Sequence, residues 1–132
     1  MIERQVLEIL ELPADVGGER PAGFIDQFRV GRDVNQLMTL LHSSNPRLVS
    51  IGALILGEVS FDRYNSNGFL SRLRELLDHE DPAVRFRALG AIYPALSRHS
   101  DYTHALLRKM CDDPNEGVRM SAEAATTRLG LL

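Results

Sequence analysis

Tryptophan is absent from this 132-residue chain, and it holds one cysteine and one lysine. The single thiol, Cys111, cannot close an internal disulfide, which fits a reducing, cytoplasmic setting. No run of about 18 apolar residues occurs, so no spanning helix is expected. Residues 1–12 carry Glu3, Glu8 and Glu11 and lack the basic start and long apolar centre of a signal peptide. No glycosylation triplet is present. Neither a His-Glu-x-x-His nor a Cys/His cluster appears, and Gly17-Gly18 lacks the strand before it and the spacing after it that a phosphate loop needs. The expectation is a non-enzyme with no cofactor and no metal.

A net charge is lacking everywhere except at one end, where acids are in excess. The net charge is -3, and residues 1–33 hold seven acids against four arginines, while the remaining residues hold eleven of each sign. A nucleic-acid-binding array should show a basic stripe, and none is visible, so no nucleic-acid partner is expected. An acidic N-terminal segment suits a basic protein partner; a solvated helix face is the plainer alternative. Arginine outnumbers lysine fourteen to one, which reports genome composition at least as much as an interface.

What the chain does have is repetition. Leu37-x-x-Leu40-Leu41 precedes Asn45-Pro46-x-Leu48-Val49-x-x-Gly52, and Leu73-x-x-Leu76-Leu77 precedes Asp81-Pro82-x-Val84-Arg85-x-x-Ala88. A third copy runs Leu107-x-x-Met110-Cys111, Asp113-Pro114, then Val118-Arg119-x-x-Ala122. Leu48, Val84 and Val118 share one column, at spacings of 36 and 34 residues. Gly52, Ala88 and Ala122, all small, lie four residues later. A spacing kept through three copies indicates one supersecondary unit repeated. The third copy needs a two-residue insertion between Pro114 and Val118.

The pattern predicts one domain: an N-terminal helical cap over 1–33, then repeats over 34–66, 67–99 and 100–132, all α. Ile2, Val6, Ile9 and Leu10 share a face of a first helix, ended by Pro13. Residues 13–20 read as a loop. Pro21 opens a second helix carrying Phe24, Ile25 and Phe28 and stopping near Gly31. Asp33 and Gln36 have capping-box spacing. Helix pairs are then expected at 34–43 and 46–60, 68–79 and 82–97, and 102–111 and 115–129. Asp62 to Asn67 is a loop, Ser100 or Asp101 caps the fifth of these helices, and Gly130 ends the last. Pro46, Pro82 and Pro114 each open the second helix of a pair, where a missing N–H costs nothing.

On a wheel of the 82–97 helix, Val84, Ala88, Ala91, Ile92, Ala95 and Leu96 form the core stripe. Ala88 is small because helices cross there. The opposite face carries Phe86, Gly90, Tyr93 and Ser97. Its counterparts are Ser50, Leu54, Gly57 and Phe61 before it, and Met120, Ala124, Thr127 and Leu131 after it. That face is too apolar for simple solvation. Phe86, Tyr93, Leu54, Phe61 and Met120 are therefore the candidate partner contacts, joined by Glu8 and Glu11 of the acidic segment. The alternative is that the first helix, or the loop around Tyr64, covers these rings.

Leu-x-x-Leu-Leu followed by Asp-Pro-x-Val-Arg-x-x-Ala resembles the HEAT-like repeat, especially its short bacterial form, over about 95 residues. The resemblance implies a short right-handed α-solenoid of helical hairpins whose second helices line the concave side. The period is shorter than the usual HEAT range of roughly 40–47, and the tetratricopeptide and ankyrin signatures are missing. Residues 20–60, from Gly23-Phe24-Ile25-Asp26-Gln27-Phe28 through Ser50-Ile51-Gly52-Ala53, are similar to small bacterial HEAT-like immunity proteins of toxin–immunity pairs, including those of contact-dependent growth inhibition. That implies a cytoplasmic, monomeric protein that neutralises a secreted toxin domain by forming a 1:1 complex, with no nucleic acid or membrane as partner. Many such toxins are basic nucleases, to which an acidic inhibitor would be steered.

Residues with reactive side chains read as structural. His79-Glu80-Asp81 and Asp112-Asp113 fall in the inter-helix turns, where capping is the commoner role. His42 lies near such a turn, and His99 and His104 flank an N-cap. Arg85 and Arg119, recurring with Asp81 and Asp113, resemble the internal ladder of HEAT-like repeats. Cys111 shares a column with Leu41 and Leu77, the position of a packed thiol. Two rival functions are a HEAT-like lyase or enzyme-accessory subunit acting on a tetrapyrrole, and a DNA-binding protein of the alkylation-glycosylase kind. The first lacks a catalytic or attachment group, and the second lacks a basic groove. If the acidic segment steers a basic partner, added salt should slow association, and reversing Glu8 and Glu11 to Lys should slow it more than it speeds dissociation. Stopped-flow rates against ionic strength check this; a salt-independent on-rate would show that these acids are merely solvated.

Overall fold

Three polar side chains fix where the repeated helices begin. Asn45, Asp81 and Asp113 each accept a backbone N–H two residues on, from Arg47 at 3.0 Å, Ala83 at 2.8 Å and Asn115 at 2.9 Å. Such Asx turns halt the chain and aim the next segment. The computed structural model describes residues 2–10, 20–59 and 67–131, and these form helices and turns with no strand. Of the expected loops at 13–20 and 62–67, residues 13–19 and 62–66 lie outside the described residues, as do Glu11, Phe61 and the side chains of Ile9, Leu10 and Phe24, while Arg20 and Asn67 begin helices instead.

The α-helices among the described residues are α1 (Ile2–Leu10), α2 (Arg20–Arg29), α3 (Gln36–Leu41), α4 (Pro46–Glu58), α5 (Asn67–Leu76), α6 (Pro82–Ile92), α7 (Asp101–Met110) and α8 (Glu116–Arg128), with a 3-10 turn at Tyr93–Ala95. Helix α3 packs on α4, α5 on α6 and α7 on α8, and the second helices also pack in series, α4 on α6 and α6 on α8. Helix α1 lies against α3 and α4. Pro46 and Pro82 open α4 and α6 as expected. Gly31 and Gly130 take φ of 130° and 71°, turning the chain after α2 and α8.

Four expectations are corrected. The 82–97 helix ends at Ile92, because Pro94 lacks an N–H and its ring clashes with the preceding turn. Ala95 is consequently exposed and leaves the core stripe, whereas Leu96 is half-buried and still packs against the core. Second, Pro114 does not open α8. The inserted residues make Asn115 the N-cap, its side chain accepting from the Val118 N–H at 3.1 Å. Third, Asp33 and Gln36 form no capping box. Asp33 accepts from the Asn35 N–H, and the Gln36 side chain is taken by Arg32 Nε at 2.8 Å. Fourth, Leu89 is buried although the wheel left it out. Helix α6 is flanked by α4, α5 and α8, so its buried arc is wider than one stripe.

The repeat columns are the core. Leu37, Leu73 and Leu107 are buried, as are Leu48, Val84 and Val118. The small column is where backbones meet. A Cβ placed on Gly52 would lie 2.8 Å from Leu40 Cβ, and Ala88 and Ala122 are fully buried. Gly57 is a second close approach, since a Cβ there would lie 3.3 Å from Ala91 Cα across the α4–α6 contact. Gly52→Ala should therefore force α3 and α4 apart and cost about 1–3 kcal/mol. Gly90→Ala, whose Cβ meets nothing within 4 Å, should instead stabilise α6 by about 0.5–1 kcal/mol. Urea denaturation of the two variants checks the pair; equal effects would refute this packing.

Candidate protein-binding face

The outward side of α6 carries Phe86 and Gly90, both exposed, with Phe86 at 38%. The Arg87 guanidinium stacks over the Phe86 ring, 5.3 Å from its centroid. Helix α6 stands between two open hollows. The smaller, about 200 Å³, lies toward α4 and is walled by Ala53, Leu54, Gly57 and Phe86, with Glu58 and Arg87 at its margin. The larger, about 530 Å³, lies toward α8 and is walled by Phe86, Gly90, Tyr93, Met120 and Ala124, with Arg128 at its margin. Phe86, Gly90 and Ser121 line both, so the hollows adjoin, and Gly90 leaves their shared floor open.

This places four sequence-derived contacts together: Leu54 in one hollow, Tyr93 and Met120 in the other, and Phe86 in both. Met120 is 61% exposed. Tyr93 is half-buried and packs against the core, so it is less outward than a wheel suggests. Leu131 leaves the face, because Gly130 turns the chain and Leu131 packs on the core. Phe61 and Glu11 lie outside the described residues. Glu8 is exposed on α1, pairs with Arg4 at 3.3 Å and lines neither hollow. Arg87, Arg128 and Ser121 were not anticipated. Arg128 was legible as the next i+4 step after Met120 and Ala124.

The turn residues are occupied structurally. His79 Nδ1 accepts the Asp81 N–H at 3.0 Å, and His104 Nε2 donates to the Arg98 carbonyl at 2.8 Å. Cys111 is half-buried with Sγ 3.7 Å from Thr126 Oγ1. Among the described residues, no three His, Cys, Asp or Glu side chains are grouped to hold a metal ion.

The arginine ladder ties each turn to its own second helix, as expected, and also runs between hairpins. Arg85 donates to both Asp113 oxygens at 2.9 Å and to the carbonyls of His79 and Glu80 at 2.8 and 3.0 Å. Asp81 is not its partner; Asp81 is spent on the Asx turn. Arg119 repeats the inner half of the pattern, donating to the Asp113 carbonyl at 2.8 Å. Arg72 donates twice to the Leu41 carbonyl, at 3.0 and 2.9 Å, and Lys109 pairs with Asp78, so each hairpin is tied to its neighbour. The Arg85 hydrogen bonds hold the Asp113 carboxyl below its ordinary value near 3.8, against burial, which raises it; the Asn115 N–H and the Arg119 charge add to the lowering.

Compared with family models, with curated proteins and with solved structures, the chain finds no match in any of the three.

The Arg85–Asp113 pair is mostly buried, with side chains 14% and 9% exposed. Arg85→Ala should strand the carboxylate and cost about 3 kcal/mol. Because the folded-state value is lowered, the pair's stabilisation is present above pH 3.8 and is lost as pH falls from there through the folded value. Thermal melts between neutral pH and pH 3 should therefore show an acid loss that Asp113→Asn flattens. An unchanged acid limb would show that the pair does not contribute.

Proposed function

We propose that the chain is a HEAT-like helical-repeat protein, a short right-handed α-solenoid whose first 33 residues cap one end, and that it binds another protein without catalysing a reaction. The observation that carries this is the adjoining pair of apolar hollows beside Phe86. The columns inside the molecule are apolar because they are buried; Phe86, Gly90, Met120 and Ala124 are exposed and still uncharged. Exposed apolar groups clustered around hollows are what an interface core requires.

The partner we propose is a secreted bacterial toxin domain, neutralised by direct 1:1 binding in the cytoplasm. This rests on the likeness of residues 20–60 to small HEAT-like immunity proteins. The acidic N-terminal segment would speed the encounter with a basic toxin, and the apolar face would hold it. The direct test begins with the gene immediately upstream. It should encode a large secreted protein ending in a variable domain that stops growth when expressed alone, and co-expression of this chain should restore growth. A harmless domain, or toxicity left unchanged by the chain, would overturn the toxin reading.

Truncating a central aromatic in an interface typically costs about 2 kcal/mol, roughly thirtyfold in affinity. Phe86→Ala should show that loss with an unchanged melting temperature. Tyr93→Ala should lower both affinity and stability, because its ring also packs on the core. Titration calorimetry beside thermal melts separates the two; affinity intact in both variants would move the contact elsewhere.

A further inference from the structure

On that reading of the face as a protein-docking surface, we propose that the segment it takes is acidic and anchored by an apolar side chain. An aromatic or aliphatic residue of the partner sits beside Phe86 over Gly90, and flanking carboxylates reach Arg87 and Arg128.

The charges on the face point this way. Arg87 borders the smaller hollow and Arg128 the larger, and neither has a carboxylate partner among the described residues. Among the other described arginines, Arg4, Arg29, Arg72 and Arg85 have one and Arg47, Arg74, Arg98, Arg108 and Arg119 do not; what distinguishes Arg87 and Arg128 is their place at the margins of the two apolar hollows. The one acid of these hollows, Glu58, already faces Arg29 at 3.5 Å. The depression is thus apolar in the middle and positive at two margins, in a chain whose net charge is -3. Arginine forks suit carboxylates, which accept two parallel N–H bonds. Arg87 is partly oriented for this by its stack on Phe86.

A nucleic acid fits less well. Its backbone needs a continuous row of cations, whereas here two arginines stand either side of an apolar floor. An acidic docking segment is compatible with a partner that is basic overall. Steering acts over about a Debye length, roughly 8–10 Å, and depends on net charge. The contact depends on the few carboxylates that touch the arginines.

The test needs no toxin. A phage-displayed library of random short peptides is panned against the full chain and counter-selected on Phe86→Ala. The expected consensus has Asp or Glu on both sides of an aromatic or aliphatic residue. A synthetic consensus peptide should bind about tenfold or more weakly to Arg87→Glu and to Arg128→Glu. The same peptide with its acids changed to Lys should bind the double Glu variant better than the wild type. Circular dichroism melts confirm that each variant is folded. A consensus lacking carboxylates, no consensus at all, or affinity unmoved by the reversals would overturn the proposal. So would a fluorescein-labelled oligothymidylate that competes with the peptide and shows the same arginine dependence. If the peptide result holds while co-expression gives no protection, the acidic-segment surface stands and the toxin reading falls. If protection holds and the peptide result fails, the reverse is true.

Discussion

The separation between the two helices of a hairpin is the constraint on which the rest depends. Gly52 faces the Leu40 side chain so closely that a methyl group would overlap it, and Ala88 and Ala122 hold the equivalent buried positions. Backbones that approach this near leave no room for large residues at the crossing, so the bulk of the core is carried by the flanking leucine and valine columns. The helices must also turn sharply between members of a pair. That is why each turn carries an Asx residue that spends its side chain on the backbone.

Once the crossings are fixed, the polar ties find their places. Arg85 is directed at the Asp113 of the next hairpin, and its remaining donors satisfy turn carbonyls that would otherwise be unpaired. The equivalent of Arg85 in the first repeat is Val49, which is fully buried. Helix α1 packs on α3 and α4 at that end. Asp113 does two jobs at once, N-terminal turn and inter-hairpin acceptor, and both sets of hydrogen bonds favour its charged form.

Much of the helical arrangement was legible because it is repeated. Eleven of the twelve positions in the four aligned columns are buried, and Cys111 is half-buried. The misses are local competitions that periodicity does not weigh. Pro94 breaks a helix whose apolar spacing continues past it. Arg32 captures Gln36 before it can close a capping box. Leu89 is buried because α6 has neighbours on three sides, and a wheel assumes one. On the candidate face, the aromatic positions were legible from their distance to the core stripe. Of the arginines, Arg128 was within reach as the i+4 step after Ala124, whereas Arg87 was not, because a charged residue near an apolar patch reads as ordinary solvation.

That face links the packing to the proposed function. Leaving a large apolar side chain in water forgoes about 1.5–3 kcal/mol of burial, and a lone exposed phenylalanine would need no explanation. Here Phe86 is exposed one turn from Gly90, where an added methyl group would meet nothing within 4 Å. The fold places no demand on glycine at that position, since α6 would be more stable with alanine. An open floor, an exposed ring and two arginines without carboxylates are each unfavourable or neutral for the isolated chain. In the proposed complex, the partner would supply the apolar volume and the negative charge that these features leave unmet.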